Sequence, residues 1–235
     1  MIAIARAEAR MLLRNRLVAA TAVLVPVVFA AVLIFTQDNF GGASIVAALL
    51  VTVVAALGVY ITATTTLAAR RQNLFLKRMR STTASDASIL TGLLAPIVLI
   101  NVVQIAVILT ALAITGTAPQ NIPVLIVGVL ATEALFLGFA LCTAGVTNSP
   151  EHAQVTTLPV FFLTFGVAFW IALTGTEDLA FVKRLLPGGA AAELIIDAWN
   201  GIDAGAAISL LLPTLAWVLV SFVVATQLFK WEPRR

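Results

Sequence analysis

Six apolar runs, 19 to 27 residues long, constrain this chain more than any other feature. They fall at 17–35, 44–68, 89–115, 122–146, 155–173 and 208–229. A helix rises 1.5 Å per residue, so about 20 apolar residues cross the ~30 Å hydrocarbon layer of a bilayer. Inside lipid a backbone must satisfy its own N–H and C=O groups, so runs of this length are expected to be helices. The composition agrees. The chain is 61% hydrophobic and only 11% charged, less than half the share of about 25% that a water-soluble domain carries. The expected fold is all-α and integral to a membrane: six transmembrane helices forming one domain over 1–235. Pro26, Pro96, Pro159 and Pro213 each fall in a run, which lipid-embedded helices tolerate because neighbours satisfy the freed carbonyls. No internal repeat or flexible linker interrupts the pattern.

The polar intervals divide by charge. With both termini on one side, that side holds Arg6, Arg10, Arg14 and Arg16, then Arg70, Arg71, Lys77, Arg78 and Arg80, then Lys230, Arg234 and Arg235. Of the 14 basic residues only Lys183 and Arg184 fall opposite, with Asp38, Glu177, Asp178, Glu193, Asp197 and Asp203. Membrane proteins keep lysine and arginine on the cytoplasmic side, so both termini are expected in the cytoplasm. The net charge of +3 therefore reads as a membrane face and implies no nucleic acid. Membrane lipids are the expected surroundings.

Three polar segments carry more than topology. Residues 1–16 place Arg6, Arg10 and Arg14 on one helical row, the pattern of an amphipathic interfacial helix. The run that follows is too long for a secretory leader. Residues 69–88 form a cytoplasmic loop in which Leu74, Phe75, Leu76 and Met79 alternate with Lys77, Arg78 and Arg80. Thr83-Ala84-Ser85-Asp86 then matches a capping box, with Thr83 as the cap and Asp86 reaching back, and predicts a helix starting near residue 84. A basic loop serves topology in any membrane protein; the mixture of apolar residues, arginines and a cap points to a docking element. Residues 175–207 form the third segment, external and largely apolar. Phe181, Leu185 and Leu186 precede Pro187-Gly188-Gly189, after which Ala192, Ile195, Ile196 and Trp199 recur at helical spacing. Two readings fit: a pair of short helices that enters the outer leaflet and returns, or a helix lying on the outer surface.

Chemistry of other kinds is missing. One cysteine and one histidine supply neither a disulfide framework nor a His/Cys metal cage. There is no phosphate-cradling G-x-x-x-x-G-K-[ST], no H-E-x-x-H and no G-x-S-x-G. An intramembrane serine protease needs a histidine within the bilayer, and His152 lies in a cytoplasmic turn. No catalytic residues are assigned. Polar groups in the runs are few: Glu133, and Asn101 with Gln104 one turn apart. A carboxylate in hydrocarbon costs several kcal/mol unless neutralised, paired or hydrated, so Glu133 is expected to face the bundle interior. It is either the lining of a translocation path, with Asn101 and Gln104, or a buried structural carboxyl. Thr62, Thr64, Thr65 and Thr66 are expected to bond back to their own helix.

The order of these features resembles the ABC-2 type permeases, the membrane subunits of ATP-driven exporters. Leu76-Lys77-Arg78-Met79-Arg80-Ser81-Thr82-Thr83 is similar to that family's LKR-x-R-x-T-P stretch after the second span, with Thr83 where proline is usual. Leu186-Pro187 with Ala190 to Trp199 is similar to its LP segment and external re-entrant helices, Leu186, Pro187, Glu193 and Trp199 among them. The basic amphipathic N-terminus is the third likeness. The resemblance spans the whole chain in topology and spacing. It implies a multi-pass permease of the bacterial cytoplasmic membrane. Such a permease exports an amphipathic substrate such as a drug or lipid, pairs with a second permease subunit (identical or related), and is served by two separate ABC ATPase subunits. ATP and Mg would belong to those partners, with no cofactor in this chain. Arg6, Arg10, Arg14, Phe75, Lys77, Arg78, Arg80 and Asp86 would make the ATPase contact. A secondary transporter would be expected to carry more carboxylates at mid-membrane and repeat symmetry. A non-transporting membrane scaffold would share the basic loop without needing a polar interior.

Overall fold

Short polar side chains set where four of the described helices begin. The computed structural model describes residues 5–6 and 16–232. In chain order the elements are α1 (Arg16–Phe35), a 3-10 turn (Gln37–Phe40), α2 (Ala43–Ala55), a π-helical turn (Ala56–Ile61) and α3 (Thr62–Gln72). Then come α4 (Phe75–Arg80), α5 (Asp86–Thr115), α6 (Ile122–Val146), α7 (Pro150–Thr156), α8 (Leu158–Thr174), α9 (Ala180–Leu185), α10 (Gly189–Asn200) and α11 (Ala204–Leu228). Asn121, Ser149 and Asp203 cap α6, α7 and α11, each side-chain oxygen accepting a backbone N–H of the first turn. Pro150 and Pro159 sit in first turns, where no N–H is needed.

Five helical stretches are long and apolar enough to cross a membrane: Ala43–Gln72, Asp86–Thr115, Ile122–Val146, Pro150–Thr174 and Ala204–Leu228. The molecule is thus a multi-span, all-α hydrophobic bundle. The first expected span coincides with α1, whose described apolar stretch is the shorter Leu24–Phe35. Arg10 and Arg14 of the expected interfacial helix lie outside the described residues.

The capping box at 83–86 is a correction. Ser85, in extended backbone, is the cap of α5: its Oγ accepts from Ser88 N–H at 3.3 Å. Asp86 is the first helical residue and turns outward to Arg80, Nε to Oδ1 3.4 Å. The fifth span also begins earlier than expected, at Pro150, because Ser149 caps and Pro150 starts a turn that the apolar run alone does not show.

Successive spans alternate in direction between two ends. At one end, the buried Arg71 guanidinium after α3 donates to Thr147 O after α6 and, at 3.4 Å, to Lys230 O after α11. At the other, Gln37 Nε2 donates to Thr115 O at 3.4 Å, and Asn121 Nδ2 to Ile202 O at 3.0 Å. The first end carries Arg70, Arg71, Lys77, Arg78, Arg80 and Lys230; it is called the basic end below.

Packing centres on α6, which lies against α11, α10, α3 and the π turn. In the hairpin α9–α10, the second arm α10 is part of this core, while α9 buries only Lys183. It leaves the far end after α8, and its Pro187-Gly188-Gly189 bend reaches Thr164 and Val167 of α8. Thr164 is ten residues before the end of α8, so the hairpin descends about 15 Å along the bundle before returning. Nearly every side chain of α10 is buried.

Candidate functional site

Three groups of residues stand out, at the basic end, inside the bundle and in the hairpin. At the basic end, α4 hangs between two long spans. Leu74 enters it in the left-handed conformation, φ 56°. Leu76 points inward and is fully buried, whereas Lys77, Arg78 and Arg80 are exposed. Phe75 is half-buried beneath the Arg70 guanidinium, 5.3 Å from the ring centre. The chain after α11 returns across this helix. Lys77 pairs with Glu232 at 3.1 Å, and Arg80 stacks over Trp231 at 5.4 Å. Exposed pairs of this kind each contribute about 1 kcal/mol or less, but here they join Arg71 in tying α3, α4, α5 and the end of α11 into one surface. Arg78 makes a local bond to Asn73 O at 3.2 Å and points outward. Arg6 is exposed.

Inside the bundle, Asn101 reaches the π turn. Its Nδ2 donates to Val54 O at 3.1 Å, and its Oδ1 is buried with no hydrogen-bond partner among the described residues. The approach depends on Gly58, where a Cβ would lie 1.7 Å from Nδ2. A π turn leaves backbone groups out of the α-helical ladder and is a frequent mark of functional positions. Gln104 is half-buried one turn along. Glu133, near the middle of α6, is 2% exposed, and neither carboxyl oxygen has a hydrogen-bond partner among the described residues. At 100° per residue it shares a row with Phe136, Ala140 and Thr143. Phe136 meets Tyr60 at 6.1 Å, and Tyr60 Oη lies 3.0 Å from Thr143 Oγ1. No hydrogen bond joins Asn101 and Glu133. Thr62, Thr64 and Thr65 do bond back to their own helix, at 3.1, 2.8 and 2.8 Å.

The hairpin carries the densest polar contacts. Arg184 grips Glu193 with two hydrogen bonds, 2.8 and 2.7 Å. The Glu193 side chain is almost wholly buried, that of Arg184 about half. The hydrogen bonds to Glu193 push the Arg184 pKa up. Burial, with Glu193 adding, raises that of Asp197, against the pull of Arg184. Lys183 is buried too, donating to Thr174 Oγ1 at 2.8 Å and Gly175 O at 2.7 Å, over the Trp170 ring at 5.1 Å. Trp199 Nε1 donates to Thr117 O at 2.9 Å, and Pro187 is buried at the bend with Leu186 half-buried beside it.

Sequence reasoning passed over Arg71, Lys183 and Gly58. The two cations count only toward topology when read in one dimension, and a lone glycine in an apolar run carries no signal of an amide pressed against it. Among the described residues no three His, Cys, Asp or Glu side chains cluster as a metal site. No protein-family model matches this chain, and no curated protein is significantly similar to it.

Proposed function

We propose that this chain is the membrane subunit of an ATP-driven exporter of the ABC-2 permease kind, moving an amphipathic substrate across the cytoplasmic membrane in a pair with a second permease subunit. α1 completes a set of six spans, and the α9–α10 hairpin is the re-entrant element of the outer leaflet. The observation that carries the reading is α4: a short helix with one apolar side anchored and three cations displayed, linked through Arg71, Arg80 and Lys77 to the ends of three spans. A soluble ATPase that presses on this surface would move α3, α5 and α11 together. The phosphate-binding chemistry that the chain lacks would reside in that ATPase. A non-transporting scaffold would display the same basic surface; the buried Glu133 and the Asn101–π-turn contact favour a polar interior with work to do, because each costs stability that a mere anchor would not need to spend.

The test is Arg78→Glu, a change at an exposed side chain. Tagged chain purified from its native membrane is expected to carry an ATP-hydrolysing partner, and the reversed charge should cut its recovery several-fold. Undiminished recovery, or no ATPase with the unaltered chain, overturns the proposal.

A further inference from the structure

An apolar groove of about 1100 Å³ lies between α5 on one side and α6 and α11 on the other. Leu94, Leu99 and Val102 of α5 form one wall, and Leu137, Leu141 and Phe222 the other. Among its described lining residues the only charged one is Asp86, at the basic end, with Trp231 beside it. The Arg80 guanidinium sits between these two, 3.4 Å from the carboxylate and 5.4 Å from the centre of the indole ring. A carboxylate beside an aromatic face is a recognition pair for an organic cation, and here the chain's own side chain fills it. The Arg80 and Asp86 side chains are 56% and 46% exposed, so this contact is weak and open to exchange.

We propose that the groove binds lipophilic cations: the positive centre lies between Asp86 and Trp231, the apolar body runs along α5, and Arg80 is displaced on binding. With Arg80 turned away, the groove offers a head group the Asp86 carboxylate and the Trp231 ring, which favours a cation over an anion. The proposal rests on the transport reading only in taking the bound cation as cargo; binding itself requires no ATPase.

The experiment uses the purified full chain in detergent and two probes of one shape and opposite charge, tetraphenylphosphonium and tetraphenylborate, measured by equilibrium dialysis against empty micelles. The phosphonium should bind the unaltered protein more tightly than the borate. Asp86→Asn should weaken the phosphonium by roughly 5-fold and Arg80→Ala should strengthen it by a similar factor, the scale of one exposed ion pair. Ala95→Phe, which fills the groove from α5, should reduce both probes. Equal or tighter borate binding, an unchanged affinity in Asp86→Asn, or a loss in Arg80→Ala overturns the proposal. If a variant is not monodisperse, the comparison of the two ions on the unaltered protein decides alone. Loss of the ATPase partner with phosphonium binding intact would fault the transport reading; a retained partner with no charge preference would fault the groove.

Discussion

Gly58 and Asn101 are the residue pair on which the centre of the bundle turns. The amide lies where a methyl group would be, and it donates to Val54 O. Gly58→Ala is therefore expected to expel Asn101 and leave its amide unpaired in an apolar interior, at a cost of about 1–3 kcal/mol. The thermal midpoint in detergent should fall, and adding Asn101→Ala should recover part of the loss by removing the clash. A Gly58→Ala protein as stable as the parent would show that the amide does not occupy this position. A second residue-scale expectation concerns Asp197, whose pKa burial raises. The folded protein holds that proton more tightly than the unfolded chain, so ionisation costs stability above the folded pKa, and the cost vanishes below the ordinary value of about 3.9. Asp197→Asn should thus raise the midpoint at pH 8 and have little effect near pH 4; a larger gain at the acid end would reverse the assigned sign. Asn101 was visible in the sequence as an amide inside a span. Its partner was not, because the close approach of the amide to Gly58 is a contact between two spans and carries no local sequence signal.

At the scale of elements, the hairpin α9–α10 shows what helical spacing conveys and what it omits. Ala192, Ile195, Ile196 and Trp199 mark one buried face, and Pro187-Gly188-Gly189 marks the bend, as the sequence indicates. Glu193, off that face, is also buried, paired with Arg184 nine residues before it on the descending arm, and the bend needs glycine at position 189 because a Cβ there would strike Lys183 O. Breaking such a pair strands a buried charge, whereas removing both partners does not. Arg184→Leu alone should lower the thermal midpoint clearly, and Arg184→Leu with Glu193→Leu should restore much of it. A double variant that loses the sum of the two single losses would mean that the pair carries no coupling. The corrected cap of α5 is local: Ser85 and Thr83 are both suitable caps by type, and it is Ser85, in extended backbone, whose Oγ accepts from Ser88 N–H while Asp86 pairs with Arg80.

For the molecule as a whole, the apolar runs located the five stretches that are long and apolar enough to cross a membrane, since length against bilayer thickness is a one-dimensional constraint. The ends are legible from charge: Arg70, Arg71, Lys77, Arg78, Arg80 and Lys230 gather where α3, α6 and α11 finish. The groove between α5 and α11 was not legible, because it depends on how far apart two helices stand, and both carry apolar faces whether they meet each other, lipid or cargo. By charge, the basic end is expected to face the cell interior. With Cys142, the only cysteine, half-buried in α6, its reactivity can serve as a background for single introduced thiols. Ser81→Cys, exposed at the basic end, should react with a membrane-impermeant maleimide only after the cells are opened; Asp178→Cys, exposed before α9, should react in intact cells. Labelling of position 81 from outside would invert the molecule. The cationic surface of α4 would then face away from any cytoplasmic ATPase, and the coupling proposed for it would have no partner to act on.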